Sequence, residues 1–296
     1  MTQLRQARIE DAAEVAELLA RCEAADGFAP LSEFKALRVP IAEAVRTVVV
    51  AADDGLVATG AAAWHPASAG EADGYWAAEI AVDPSHRSTK VYREVLNALV
   101  AEVGAAVSFW TFSDEQRIAA RATGMTEVRA LLLLERPLPA KSMPLPDGME
   151  ARPFVVGADE SAWLALNQRV FADHPEAAAI DESDLELRMA QPWFDPAGFL
   201  LLTDGEALLG YCWTKRHSIA TGEIYMIGLI PESRGKGLAR PLTSAGLDHL
   251  SRSGASRTIL YAEATNHAAL RLYESMGFVM ARRIALFEHL GEAALS

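Results

Sequence analysis

The sequence predicts an α/β protein in which one plan, a mixed and mostly antiparallel sheet flanked by helices, is used twice. Three observations carry this. Short apolar strand-like runs alternate with amphipathic helical stretches, the order of these runs in the first half recurs in the second, and a proline-rich segment separates the halves. The 296 residues also exceed one comfortable core, so two domains are expected.

The first half opens with Arg5-Gln6-Ala7-Arg8 before an amphipathic helix over 9–22; the second opens with Met149-Glu150-Ala151-Arg152-Pro153-Phe154 before a helix over 161–171. Each continues with strand, turn and strand, over 47–52 with 56–64, and over 199–203 with 207–215. Each then has a strand running into an apolar residue, one further residue and Pro, over 78–84 and 224–231. Each finishes with strand, helix, Gly and a last strand, over 106–134 and 258–288. The stretch from Glu135 to Gly148 holds four prolines and no hydrophobic periodicity, and reads as a linker. The expected division is 1–140, a linker at 141–148, and 149–296.

The formal charge of −13 argues against a general nucleic-acid binder, which needs a basic surface, and suits a substrate bearing an ammonium group. No apolar run approaches the ~20 residues of a membrane helix, and the N-terminus lacks the apolar stretch of a secretory signal. A cytoplasmic protein without membrane or nucleic-acid partners is expected. Cys22 and Cys212 cannot build a disulfide framework, no Cys/His cluster has zinc spacing, and no metal is expected. Both cysteines read as small core hydrophobes.

The most informative run is Ile224-Tyr225-Met226-Ile227-Gly228-Leu229-Ile230-Pro231-Glu232-Ser233-Arg234-Gly235-Lys236-Gly237-Leu238-Ala239. It reads as a buried strand, a Pro-led turn, a glycine loop and a helix from about Leu238. Glycine lets backbone approach a ligand closely, and a helix start offers unpaired N–H groups with the positive end of the dipole. Arg234, Lys236 and Arg240 add local cations for a phosphate. The spacing matches neither the P-loop nor the Gly-x-Gly-x-x-Gly dinucleotide fingerprint.

Group transfer to a nucleophile at such a loop needs a base for the nucleophile, polarisation of the electrophile, a proton for the leaving group, and both substrates held together. Glu223, at the start of the strand and by alternation on one side with Tyr225 and Ile227, is a candidate base, or else a solvated turn residue after Gly222. Gly228 fits a bulge or a packing kink. Tyr273, on a short helix over 268–276, is a candidate acid or a core residue, and Asn266 would cap that helix.

The spacing Arg234-x-x-Gly237-x-Ala239 resembles the acetyl-CoA signature of the GNAT acyltransferases, with Ala239 in place of its last Gly. The stretch Asn266-His267-Ala268-Ala269-Leu270-Arg271-Leu272-Tyr273-Glu274-Ser275-Met276-Gly277-Phe278 resembles their last motif. The resemblance implies a GNAT fold with acetyl-CoA as co-substrate. It implies a splayed strand end at which the pantetheine arm pairs, an N–H at Leu229 polarising the thioester, and Tyr273 as acid.

The chain also resembles a narrower family, the mycothiol synthases, through Phe171-Ala172-Asp173-His174-Pro175-Glu176, Pro192-Trp193-Phe194-Asp195-Pro196, Trp213-Thr214-Lys215, Gly222-Glu223-Ile224-Tyr225 and Tyr261-Ala262-Glu263. Asp26-Gly27-Phe28-Ala29-Pro30-Leu31-Ser32-Glu33 and Ala78-Glu79-Ile80-Ala81-Val82 carry a weaker match in the first half. This resemblance implies acetylation of the cysteinyl amine of Cys-GlcN-Ins by direct transfer. It puts the acceptor on Glu33, Glu176, Lys215, Glu223 and Tyr261. It puts acetyl-CoA on Ile227, Gly228 and Leu229, on Arg234, Gly235, Lys236, Gly237, Leu238, Ala239 and Arg240, and on Asn266, His267, Ala268, Ala269, Leu270 and Arg271. A second acetyl-CoA strand falls on Ile80, Ala81 and Val82, although Lys90 and Tyr92 stand in its glycine places and Ala120 stands opposite Tyr273. The first half is therefore expected to be non-catalytic. The Gln usual after His-Pro-Glu is Ala177. Other amine acceptors, or an acetyl-CoA sensor without turnover, are the competing readings. A monomer is expected by analogy with other tandem proteins.

Overall fold

The structure, a computed structural model, describes residues 3–36, 38–39, 45–53, 55–65, 74–172 and 180–289. They fall into two compact units. Unit 1 takes the described residues up to Ala130 together with those from Arg283, and unit 2 runs from Leu131 to Arg282.

In unit 1, strands β1 (Gln3–Gln6), β2 (Val45–Ala52), β3 (Gly55–His65), β4 (Tyr75–Val82) and β5 (Val107–Thr111) lie in sequence order. The end of the last strand, β12 (Val279–Glu288), follows β5 through Ala285↔Thr111, Leu286↔Trp110 and Phe287↔Phe109. Helices α1 (Ala12–Asp26), α2 (Glu33–Ala36), α3 (Thr89–Val103) and α4 (Asp114–Ala122) complete it. Its core has two layers. Val95, Leu96 and Leu99 of α3 lie with Ile80, Phe109 and Phe287, and Val15, Leu18 and Cys22 of α1 lie with Val49, Ala61 and Ala81.

In unit 2 the order is β6 (Thr126–Pro137), β11 (Arg257–Glu263), β10 (Thr221–Leu229), β9 (Leu208–Arg216), β8 (Phe199–Thr203) and β7 (Glu150–Pro153). Its helices are α5 (Glu160–Val170), α6 (Glu182–Met189), α7 (Ala239–Arg252) and α8 (His267–Ser275). One core layer, with Leu242, Leu247 and Leu250 of α7, includes Cys212, Ile224 and Tyr273. The other, with Trp163, Leu166 and Val170 of α5, includes Phe199, Tyr211 and Trp213. In each unit one neighbouring pair is parallel, β4 with β5 and β10 with β11, and the other pairs among the described residues are antiparallel.

The repeat extends to individual hydrogen bonds. Arg5 holds Asp11 through two bonds of 2.6 Å, and Asp11 accepts from Arg8 N at 2.6 Å. Arg152 holds Asp159 at 2.6 and 2.8 Å, and Asp159 accepts from Val155 N at 2.8 Å. Arg87 Nε donates to Val82 O at 3.2 Å, as Arg234 Nε does to Leu229 O at 3.2 Å. Ser113 caps α4 as Asn266 caps α8.

Several expectations shift. The helix expected over 9–22 opens as a 3-10 turn, Ile9–Asp11, because Asp11 is drawn onto Arg5 and the Arg8 amide; α1 then runs to Asp26 and closes at Gly27, φ 74°. The short strands β1 and β7 and helix α6 carry too little periodicity to be legible. The linker starts later than Glu135, since Glu135, Arg136 and Pro137 pair with Ile259, Thr258 and Arg257. Beyond them the segment packs on α7. Ser142 Oγ donates to Asp248 at 2.7 Å, Met143 N donates to Ser244 Oγ at 2.9 Å, and Leu138, Ala140 and Leu145 lie against the core.

Candidate functional site

The site is built on β10. This strand pairs with β9 along its length but with β11 at Thr221, Gly222 and Glu223 alone. From Ile224 onward no strand among the described residues is bonded to that edge of β10. The burial pattern records the opening, because Tyr225, Met226, Ile227 and Gly228 are half-buried in a strand otherwise buried.

The bulge lies at Tyr225, between the pairs Ile224↔Thr214 and Met226↔Trp213, and not at Gly228. An extra residue shifts the alternation. Tyr225 and Met226 therefore both pack with α5, while Ile224 and Ile227 pack with α7. The expected common side holds for Glu223 and Tyr225, but Ile227 has crossed over. Gly228 has a different reason to be glycine. A Cβ there would lie 2.1 Å from Val170 Cγ1, so it marks close approach of α5 to the strand.

After Pro231 the chain makes a 3-10 turn and the loop Arg234 to Leu238, with Gly235 at φ 75° and Gly237 at φ 79°. That left-handed region favours glycine. A Cβ on either would meet nothing within 4 Å, so conformation and not crowding selects glycine. Leu238 is buried and anchors the loop, and α7 starts at Ala239 without a side-chain cap. Its first N–H groups thus stay available. The three cations differ in their ties. The Arg234 guanidinium donates to Leu229 O at 3.2 Å and to Val170 O at 2.7 Å, which braces the loop. Arg240 donates to Ser275 O at 3.4 Å and to its hydroxyl, joining α7 to α8, and Lys236 is exposed.

Glu223 is 5% exposed, which removes the solvated-turn reading. It stands opposite Lys215 on β9 and Ile259 on β11. Directly paired residues share a face, and so do i and i+2 along a strand, so Lys215, Glu223 and Tyr261 lie on one face. The Lys215 ammonium lies 4.6 Å from the Trp193 ring centre and 5.3 Å from that of Tyr225. The Tyr225 hydroxyl accepts from Arg188 Nε at 2.9 Å. His217 Nε2 lies 2.6 Å from Glu223 Oε2. His217, Trp193 and Arg188 were given no role from sequence. The signal for His217 was present, since a β9–β10 hairpin turning at 218–220 makes 217 and 223 diagonal neighbours.

Tyr273 is buried on α8, 5.7 Å edge-to-face from Phe278, and burial pushes its phenol well above the usual range. It is therefore protonated across the neutral range. Asn266 Oδ1 accepts from Ala269 N at 3.1 Å, and His267, Ala268, Ala269, Leu270 and Arg271 form the start of α8. Burial likewise raises the Cys212 thiol to about 12 and raises that of Cys22, whose Sγ donates to Val82 O at 3.3 Å. Both are inert core thiols. Among the described residues no group of three or more His, Cys, Asp or Glu could hold a metal, and no helix is long and apolar enough to cross a membrane.

Glu33 opens α2 in unit 1; Glu176 and His174 lie outside the described residues. The counterpart of the β10 edge in unit 1 is filled by its own side chains. Tyr92 is 3% exposed, Arg87 holds Asp26 through two bonds of 2.7 Å, and Gln116 Nε2 donates to Ile80 O at 2.9 Å. A cavity of about 20 Å³ is left beside Ile80, Ala81 and Val82, room for roughly one water. The β3–β4 register there is continuous, without the bulge of β10.

The strand that opens at Ile224 and runs through the glycine loop into α7 is the cradle of the GNAT fold, and the chain is an acetyltransferase of that class, which takes acetyl-CoA as co-substrate. The model of the acetyltransferase (GNAT) family matches residues 163–278. A GCN5-related N-acetyltransferase from Sphaerobacter thermophilus has a TM-score of 0.69 at 24% identity, covering 97% of this chain and 94% of its own. A tandem GNAT protein from the clavulanic acid biosynthesis pathway has a TM-score of 0.69 at 15% identity, covering 97% and 98%. The chain belongs to the mycothiol acetyltransferase family. It is 41% identical to the mycothiol acetyltransferase of Kocuria rhizophila over 90% of this chain and 91% of the relative, and 42% identical to that of Thermomonospora curvata over 90% of each.

Proposed function

We propose that this chain transfers the acetyl group of acetyl-CoA directly to the cysteinyl amine of Cys-GlcN-Ins, giving mycothiol and CoA, with unit 2 as the catalytic unit. The observation that carries the reading is the buried Glu223 sharing a face with Lys215 and Tyr261 beside the open edge of β10. A carboxylate kept from bulk water there suits proton removal from an amine whose pKa is near ~8.

In this reading the pantetheine arm adds to the open edge of β10 along Ile227, Gly228 and Leu229, and the Leu229 N–H polarises the thioester carbonyl. The pyrophosphate sits on the N–H groups of the loop from Arg234 to Arg240 and the start of α7, while α8 from Asn266 to Arg271 flanks the arm. Glu223 takes the ammonium proton, the nitrogen attacks the carbonyl carbon, the C–S bond breaks as Tyr273 protonates the departing thiolate, and the second proton shed by the nitrogen returns through water to Tyr273. Burial keeps the Tyr273 phenol protonated through the neutral range. Lys215 and Tyr261 hold acceptor hydroxyls. Unit 1 is non-catalytic, which the filled space beside Ile80 supports. A cytoplasmic monomer fits the composition and the tandem plan.

The experiment is acceptor-dependent CoA release from acetyl-CoA, comparing Cys-GlcN-Ins with an aminoglycoside, a polyamine and an N-terminal peptide. Release selective for Cys-GlcN-Ins is expected. Equal or faster release with another amine would discard the acceptor assignment, and acetyl-CoA binding without release would discard turnover.

A further inference from the structure

Glu223 is buried, yet its carboxylate has one close partner. His217 Nε2 lies 2.6 Å from Oε2, and among the described residues no hydrogen bond reaches Oε1. Accepting Glu223 as the base, on which this rests, we infer that His217 is the positioning residue for it. The imidazole commits Oε2 and so presents Oε1 to the acceptor amine. The Nε2-protonated neutral ring and the imidazolium both present an Nε2–H to Oε2.

The hairpin that carries His217 is held far more firmly than a surface turn requires. His217 N and Ser218 N donate to Thr221 O at 3.0 and 3.3 Å, and Ser218 Oγ accepts from Ala220 N and Thr221 N at 3.3 and 3.1 Å. The Arg216 guanidinium donates to the carbonyls of Ser218 and Ile219 at 3.3 and 3.2 Å and to that of Ser253. The next strand holds the same turn, as Ser256 N and Arg257 N donate to Ala220 O at 2.9 and 3.1 Å and Arg257 Nε donates to Thr221 Oγ1 at 2.9 Å. The backbone that carries the imidazole is therefore braced against the strand that carries the carboxylate.

The other charged groups around Glu223 leave the task to His217. Lys215, directly across the strand pair, has its ammonium over the rings of Trp193 and Tyr225. Arg216 and Arg257 are tied to the hairpin, and Arg257 also lies 3.7 Å from Glu135. A glutamate has three side-chain torsions, and an unheld one would spread over several rotamers of which few face the amine.

The test uses the full chain in single-turnover acetyl transfer, with acetyl-CoA and acceptor affinities measured alongside. His217→Phe should slow transfer about ten- to a hundredfold while both affinities change less than about twofold. His217→Gln, whose side-chain amide reaches the position of Nε2–H, should recover most of the rate. On a Glu223→Gln background His217→Phe should cost nothing further, because the carboxylate it positions is gone. The inference falls if His217→Phe keeps the parent rate while Glu223→Gln loses it, if His217→Gln is as slow as His217→Phe, or if the two losses multiply. Parent-like transfer by Glu223→Gln would instead remove the base assignment itself.

Discussion

Replacing Gly228 with alanine probes the closest packing in the site. The new Cβ would stand 2.1 Å from Val170 Cγ1 and 3.4 Å from Val170 Cβ, where ordinary contact begins near 3.4 Å. Relief therefore needs more than an ångström of movement. Val170 can hardly supply it, since it is β-branched, 5% exposed, and at the last turn of α5, where its carbonyl also accepts from Arg234. Strand β10 is held in the sheet by β9 along one edge through Gly228↔Tyr211 and Leu229↔Gly210. The cost should lie at the upper end of the ~1–3 kcal/mol typical of overpacking. For a unit of this size that corresponds to a fall in Tm of about 5–10 °C. Thermal and urea unfolding of Gly228→Ala, Val170→Ala and the double variant would read it. Val170→Ala removes Cγ1, so the double variant should be more stable than the sum of the single losses predicts. A Gly228→Ala protein as stable as the parent, or strict additivity in the double variant, would refute the argument from close approach.

Tyr273→Phe should slow transfer on the order of 10²-fold with acetyl-CoA affinity retained, and a rate equal to the parent's would remove the acid assignment. Because burial raises this phenol, the parent's pH–rate profile should show no basic limb from Tyr273 below about pH 10, and such a limb vanishing in Tyr273→Phe would contradict the burial argument. Asp159 is held below the usual carboxylate range chiefly by its bond from Arg152. Its contribution is thus present above the unfolded value near ~4 and is lost as pH falls through the lower folded one. Asp159→Asn should cost about 2 kcal/mol at pH 7 and flatten the acid limb of the stability profile, and an unchanged limb would refute it. Lys35 and Glu79 form a buried pair at 2.9 Å, 1% and 3% exposed, and Glu79 also accepts from Ser32 N at 2.5 Å. Lys35→Met should cost ~3–5 kcal/mol and Lys35→Met/Glu79→Gln clearly less, so urea unfolding that ranks the double variant lower would overturn the pairing argument.

The order of elements was legible in the sequence because it rests on alternation, punctuation and repetition, all of them local. The strand, turn, glycine loop and helix start around Arg234 and Gly237 were legible for the same reason, and so was the cap at Asn266. The bulge at Tyr225 was not, because Ile224-Tyr225-Met226-Ile227 is apolar throughout and offers no polar residue to mark where the alternation slips. Arg234 illustrates a second kind of blindness. A cation beside glycines suggests a phosphate, yet its guanidinium braces the carbonyls of Leu229 and Val170, a bond repeated at Arg87 where the cradle is filled. His217 shows the remedy, since a hairpin register read one diagonal further would have found it.

The path of the two long strands has a consequence for how such a protein could be divided or inherited. Leu131–Pro137 precede the proline-rich segment, yet they supply all seven partners of β11, while Ala285, Leu286 and Phe287 from the far end of the chain complete the row beside β5. A gene cut at residue 149 would leave β11 with a bare hydrogen-bonding edge in one product and β5 with a bare edge in the other. Each fragment would expose a template for aggregation. The sequence halves are therefore not separable at the proline-rich segment, because each supplies strand residues to the other unit.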